Sequence, residues 1–382
     1  MEQASTLIDV ARSETGLSDF GGDSYRKGLE VLVDSLNREA KLTAMGEAAL
    51  RDRILMHLKQ RLEIEDWYRR HPEIEDEEIA APLFGVSLPR TGSTALSFLL
   101  ASDPHIRYLR VWESSRPCPP PSTVAGPDPR RGEHANKFDE MHGKSGRTPS
   151  GIDGAMECQD LMALTMASQT FQAFAQIPTY SDWFMEADLT ETYLYEKRAL
   201  KLLQWGMPTR PWRLKAPTHI LFMDYLDTAF PDAKFVMTHR DPTDVILSVA
   251  CVYEEIIAKF TETVDLHYIG ELNQRTWTTG MNRLIAFREK DGNDARFHDI
   301  HFRAMQDDPI GEVRGLYDWL GEKVTPEFET AMEAWWQQNE ARERYEKPDP
   351  AVFGIDYDEV RKDFAPYLER MNRWAPWPRG AN

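Results

Sequence analysis

Pro82-Leu83-Phe84-Gly85-Val86-Ser87-Leu88 runs into Pro89-Arg90-Thr91-Gly92-Ser93-Thr94, and then into Ala95-Leu96-Ser97-Phe98-Leu99-Leu100-Ala101. The first block is a short apolar run of the kind that makes a fully buried strand. The second is a polar turn, and the third is an apolar helix leaving it. Strand, loop and helix in that order are the unit from which parallel sheets are built.

Downstream the unit recurs. Ile106 to Trp112, Trp212 to Lys215, Phe235 to Thr238 and Phe297 to Phe302 read as further strands. Helical patterns fill Met156 to Ala175, Thr190 to Trp205, Thr218 to Ala229 and the stretch from Pro242 toward Lys259. The expected fold is therefore α/β, a three-layer parallel sheet flanked by helices on both faces. No internal repeat is present. Upstream, Tyr25, Leu29, Leu32 and Leu36 repeat at helical spacing, as do Leu50, Ile54, Leu58 and Leu62. Residues 1–78 are thus expected to be a helical extension packing on a core of residues 79–382, with the acidic run Glu73 to Glu78 as the junction. Pro117 to Gly154 is rich in Pro, Gly and charge without periodicity, and such a long segment is expected to be a lid or acceptor loop.

The 382 residues, 41% of them hydrophobic, suit a soluble globular chain with one large core. Forty-five basic against 63 acidic residues leave −18, a field that repels nucleic acid and anionic lipid. An anionic ligand must then meet a local basic site. Cys118, Cys158 and Cys251 are too few and too scattered for a disulfide framework or a zinc cage, which favours a reducing compartment, the cytoplasm. The first residues lack the features of a secretory leader, and no run approaches the ~18 apolar residues of a membrane span.

In open parallel sheets, ligands bind beyond the carboxyl ends of the strands. Arg90, Lys215 and Arg240 all sit at such ends. In the turn after the first strand, Gly92 permits close backbone approach, the new helix offers unpaired N–H groups, and Ser93 and Thr94 bring hydroxyls. That combination is an anion cradle. It is not the nucleoside triphosphatase loop, because six residues instead of four separate Gly85 from Gly92 and Ser93 replaces the required Lys. Nor is His239-Arg240-Asp241 a kinase catalytic loop, since Ile246 stands where Asn is needed. Asp241 and Pro242 instead read as a helix N-cap and first helical residue. Ser248 lies two turns along, on the same face.

These residues resemble the sulfotransferases that use 3′-phosphoadenosine-5′-phosphosulfate, in their bacterial form. Pro89 to Thr94 is similar to that family's phosphosulfate loop, and Arg240 with Ser248 to its 3′-phosphate motif. Trp112-Glu113, Glu157-Cys158, Leu214-Lys215-Ala216-Pro217-Thr218-His219 and Phe230-Pro231-Asp232-Ala233 follow in the family's order, and the likeness extends to the Tyr345 and Phe353-Gly354 region. The resemblance implies a P-loop-like sheet and an enzyme transferring a sulfuryl group to a hydroxyl or amine of a small-molecule or lipid acceptor. It further implies that Arg90, Thr91, Gly92, Ser93 and Thr94 hold the 5′-phosphosulfate, that Arg240 and Ser248 hold the 3′-phosphate, and that Lys215 steadies the leaving oxygen. Glu113 is the expected base, by resemblance and by its place after the second strand; His105 and His219 are the other candidates. The chain departs from relatives at Thr148-Pro149-Ser150 and Met156-Glu157-Cys158, where a His-Pro pair and two adjacent acids are common.

No metal is expected, since sulfuryl bears one negative charge fewer than a terminal phosphoryl group and fixed cations suffice. His298 and His301, three apart in a strand, fall on opposite faces and make a poor metal pair. Cys158, with no His adjacent in sequence, reads as a small core residue. Two other readings compete: an ATP- and Mg-dependent P-loop phosphotransferase, and a nucleotide-binding relative without catalysis.

Overall fold

The computed structural model describes residues 1–132, 153–290, 292–339 and 347–376. Five strands form one parallel sheet: β1 (Leu83–Gly85), β2 (Arg107–Tyr108), β3 (Trp212–Lys215), β4 (Lys234–His239) and β5 (Phe297–His301), in the order β2-β3-β1-β4-β5. The chain starts at the centre, moves out one way to β2 and β3, then crosses to β4 and β5. The loop leaving β1 therefore lies at the point where the winding reverses, the position that opens a crevice in such sheets.

Alternation along the strands separates two cores. Leu83, Val236 and Ile300 face a smaller cluster with Leu96, Leu99 and Leu100 of the helix Ser93–Leu100 and with Val313, Leu316 and Phe328 beyond β5. Phe84, Phe235, Met237 and Phe297 face a larger cluster on the opposite side. Both faces are dry, which is why these strands are apolar runs rather than alternating ones.

The larger cluster includes the N-terminal helices Ala4–Thr15, Arg26–Glu39 and Ala44–Arg70. Tyr25, Leu29, Leu32, Leu36, Leu50, Ile54, Leu58 and Leu62 are all buried in it. Arg61 is fully buried, donating from Nε to the Phe20 carbonyl at 2.7 Å, from Nη2 to Ser24 Oγ at 2.9 Å and from Nη1 to the Leu164 carbonyl at 3.2 Å. Its guanidinium lies 4.0 Å from the Tyr195 ring centroid.

Several elements differ from their sequence reading; the stretch read as a helix over Thr218 to Ala229, for one, is a 3-10 turn at Pro217–Leu221 followed by the helix Met223–Ala229. The second strand ends at Tyr108, and Val111–Ser115 is a short helix closed by a reciprocal cap between Arg110 and Glu113, so Trp112 and Glu113 are helical. The stretch read as one helix over Met156 to Ala175 is broken into Gln159–Met162, a 3-10 turn at Ala163–Thr165 and Thr170–Phe174, with Met166 left-handed at φ 57°. Apolar spacing persists across such a break because all three pieces face the same core. Of the expected lid or acceptor loop, residues 133–152 lie outside the described residues, as does Tyr345.

We propose that residues 1–78 are an integral layer of the fold rather than a separable domain, with Arg61 as the tie. Arg61→Ala strands two buried carbonyls and is expected to lower the free energy of unfolding by about 3 kcal/mol. Urea denaturation followed by fluorescence measures this; a change within 0.5 kcal/mol, of the size ordinary for surface substitutions, would count against it.

Candidate active site

The turn after β1 is held from beneath. Thr91 Oγ1 donates to the Leu88 carbonyl at 2.8 Å and lies 2.6 Å from Thr238 Oγ1 on β4. Ser87 Oγ accepts from the Thr238 amide at 2.8 Å and from Thr238 Oγ1 at 3.0 Å. This buried chain of hydroxyls knots the loop to the neighbouring strand, so the Thr91 side chain faces the interior and only its amide remains for a ligand. Arg90 is left-handed, φ 62°, a conformation that is uncommon for a non-glycine residue and clusters at ligand sites. Gly92 caps the helix at φ 93°, and a Cβ there would come within 3.3 Å of the Phe302 ring. The first amides of Ser93–Leu100 have no intrahelical partner and point out of the turn.

Arg90, Arg240 and Ser248 come together at this turn. Arg240 Nη1 donates to the Arg90 carbonyl at 2.9 Å, and Arg90 Nε donates to Ser248 Oγ at 3.2 Å. Arg240 also stacks over Phe302, 4.3 Å from guanidinium carbon to ring centroid, and pairs with Asp244 at 3.5 Å. Asp241 accepts from the Thr243 amide and starts the helix Pro242–Ile257 that carries Ser248, so the cap sets the position of the hydroxyl.

Lys215 approaches from the other side of the turn. Its Nζ is 3.3 Å from Thr94 Oγ1 and 2.7 Å from Glu157 Oε1. Gly85 makes room for it, since a Cβ there would meet Lys215 Cγ at 2.8 Å. The segment carrying Glu157 is laced to the strand ends by Met156 N to Leu109 O at 2.8 Å and Cys158 N to Lys215 O at 3.0 Å. Among the described residues, Glu157 is the acid that contacts a cation of the cradle from the side opposite Arg240.

Glu113 sits in the short helix after β2. Its carboxylate is fully buried and accepts from Arg107 Nη2 at 2.6 Å, Arg107 Nη1 at 3.0 Å, Arg110 Nη1 at 3.1 Å and the Arg110 amide at 3.1 Å. Both oxygens accept from arginine donors, and the carboxylate closes the helix Val111–Ser115. The sequence reading placed it correctly after β2 but could not see Arg107 turning back onto it. His105 is exposed and precedes β2, at the amino edge of the parallel sheet, opposite the site. His219 is fully buried with Nδ1 3.0 Å from Tyr193 Oη.

His219 belongs to a cluster that sequence spacing did not reveal. Its ring, Cys158 and Glu196 bring ligand-capable atoms within 4.8 Å of one another, the one such group among the described residues. Neither Glu196 oxygen nor His219 Nε2 has a hydrogen-bond partner. Burial pushes Glu196 up to about 8, with the neighbouring thiol pulling the other way, and burial pushes His219 down to about 3. At neutral pH the two side chains are accordingly uncharged, a protonated acid beside a neutral imidazole. Their positions, 19 residues before and four after Lys215, gave no sequence signal for a pair.

The model of the sulfotransferase family matches residues 82–327, well over half of the chain. The chain belongs to the sulfotransferase family. Its fold is similar across nearly its whole length to that of sulfotransferase STF9 from Mycobacterium avium, with a TM-score of 0.88 and 29% identity over 97% of this chain and 96% of that one. Sulfotransferase STF1 from Mycobacterium tuberculosis is similar at TM-score 0.83 and 28% identity, over 96% of this chain and 99% of the other. No curated protein matches. The protein is therefore an enzyme of sulfuryl transfer, and the sheet with its cationic turn is the P-loop-like fold of these sulfotransferases.

Two opposed pH dependences follow from the buried cluster of this sulfotransferase. Between pH 4.5 and about 8 the folded chain keeps a proton on Glu196 that the unfolded chain has released, so this group makes stability fall as pH rises through that window. Between about 6.5 and about 3 the unfolded chain gains a proton that folded His219 refuses, so stability also falls on acidification. Glu196→Gln is expected to raise the melting temperature more at pH 8 than at pH 5. Equal shifts at the two pH values would contradict a protonated Glu196.

Proposed function

We propose that this sulfotransferase moves a sulfuryl group from 3′-phosphoadenosine-5′-phosphosulfate to a hydroxyl or amine of a small-molecule or lipid acceptor. The observation that carries this reading is the meeting of Arg90, Arg240 and Ser248 on one side of the β1 turn, with Lys215 on the other. A nucleotide with anionic groups at both its 5′ and 3′ positions suits a turn around which three cationic side chains stand. The amides of Thr91 to Thr94 and the Arg90 guanidinium take the 5′-phosphosulfate, Arg giving multi-donor contacts to its oxygens. Arg240 and Ser248 take the 3′-phosphate, which ATP lacks.

In-line transfer spreads charge over the sulfuryl oxygens and onto the bridging oxygen as its bond to sulfur breaks. Positioned donors that strengthen at that moment lower the barrier. Lys215, held against Thr94 at the start of the helix, is placed to hydrogen-bond the departing oxygen. In this reading fixed cations do the work that a metal does in phosphoryl transfer, because the group transferred carries less charge. The three cysteines are buried and form no disulfide, and no helix among the described residues is long and apolar enough to cross a membrane. Both features are compatible with a cytoplasmic setting, which the reading includes.

Isothermal titration with 3′-phosphoadenosine-5′-phosphate and with ATP, each with and without Mg²⁺, tests the donor. Binding of the former is expected to be tight and independent of Mg²⁺, and that of ATP weak. Arg240→Ala should weaken the former about 30-fold, as for one charge-assisted contact of about 2 kcal/mol, and leave ATP unaffected. Equal affinity for both nucleotides would overturn the donor assignment.

A further inference from the structure

Cys158, Glu196 and His219 meet beneath the surface, and the sulfuryl-transfer reading gives them no task. We propose that they hold one divalent transition-metal ion of the zinc class, a site that braces the carboxyl end of β3 and takes no part in the transfer itself. The site stands apart from the donor assignment, and either can fail without the other.

The first support is unused bonding capacity. All three side chains are 0% exposed, yet both Glu196 oxygens and His219 Nε2 lack a hydrogen-bond partner. A buried polar group left unpaired costs about 1–3 kcal/mol, and a bound ion would engage these groups together. The second is distance. One sulfur, one carboxylate oxygen and one imidazole nitrogen lie within 4.8 Å of one another. Ligands at about 2.0–2.3 Å from a tetrahedral zinc stand roughly 3.5 Å apart, so small rotamer adjustments close the triangle. The third is the ring of His219. Its Nδ1 lies 3.0 Å from Tyr193 Oη, and in the tautomer whose Nδ1–H donates to that oxygen, Nε2 keeps its lone pair for a metal.

The donor set names the class of ion. Mg²⁺ and Ca²⁺ take oxygen ligands, whereas sulfur, nitrogen and oxygen together suit zinc or cobalt, with a water in the fourth position. Loading exchanges protons for metal and moves no electrons. The ion brings two positive charges, and the Cys158 thiol and the Glu196 carboxyl each release one proton. The cluster is therefore neutral before and after, as a dry interior favours. The pH dependences described above are those of the metal-free chain.

The position of the cluster gives the ion its role. The Cys158 amide donates to the Lys215 carbonyl at 3.0 Å, His219 follows Lys215 by four residues, and Glu196 stands on the helix Thr190–Gln204. An ion joining the three ties that helix to the segments on either side of the Lys215 strand end. Full burial denies it a substrate, which makes it a brace.

The test loads the full-length chain as it folds, because burial bars later entry. Protein produced in medium supplemented with Zn²⁺ or Co²⁺, and purified without chelator or affinity tag, is analysed for metal content and, for cobalt, by absorption spectroscopy. The expected content is about one ion per chain, and the cobalt form should show a thiolate-to-metal charge-transfer band. The double variant Cys118→Ala/Cys251→Ala, which leaves Cys158 as the sole thiol, should keep that band, and Cys158→Ala should lose it. Glu196→Gln, close in volume but without the charge, should retain a tenth or less of the parental metal.

Less than half an ion per chain from both media overturns the site. Cobalt bound without a thiolate band does the same, as does a band that survives in Cys158→Ala or a parental metal content in Glu196→Gln. Should Cys158→Ala fail to fold, the double variant decides, since a folded double variant without the band assigns the thiolate to another cysteine and overturns the proposal. Titration of the same preparations with 3′-phosphoadenosine-5′-phosphate reports on the donor reading separately.

Discussion

Three hydroxyls hold the active turn of this molecule in shape. Thr91 and Ser87 on the β1 side each meet Thr238 on β4 within hydrogen-bonding distance, all three buried, and they tie the loop to the carboxyl end of the sheet. A buried polar group without a partner costs on the order of 1–3 kcal/mol, so breaking these contacts opposes any movement of the loop away from β4. Arg90, next to Thr91, has a left-handed backbone conformation. Its carbonyl then receives Arg240 and its guanidinium reaches Ser248. The convergence of charge at the turn follows from the packing beneath it.

The electrostatics are local against an opposing background. A chain with formal charge −18 repels a polyanionic nucleotide at long range, and screening at physiological salt limits that repulsion to about 8 Å. Within that distance the cradle presents Arg90, Arg240 and Lys215 with helix amides. Two of these cations carry acids of their own, Asp244 on Arg240 and Glu157 on Lys215. Such pairing limits repulsion among the like charges of the cradle.

The acid beside Lys215 and the acid after β2 show why residue roles resist reading from sequence. Glu113 and Glu157 both fall in motifs of the family's order, and the sequence reading favoured Glu113 as the base. What separates them is Arg107, six residues before Glu113, which folds back with Arg110 to close both carboxylate oxygens. The cluster of Cys158, Glu196 and His219 is a further case, since three distant segments meet in it and none carries a spacing signal.

The amino-acid sequence alone determined the layout: apolar runs too short for helices, each followed by a helical period, force a parallel sheet buried on both faces, and the N-terminal stripes at 3.6-residue spacing force helices against it. It also determined that cations stand at the carboxyl ends of three strands, because a strand's end is a local feature. The tertiary structure alone decided which side chains are spent inside the fold and which remain for a ligand. Thr91 turns inward, Glu113 is sealed and Glu157 stays open for one physical reason: hydrogen-bond partners from distant segments claim a group only when the chain brings them within about 3 Å, and one-dimensional spacing carries no information about that distance.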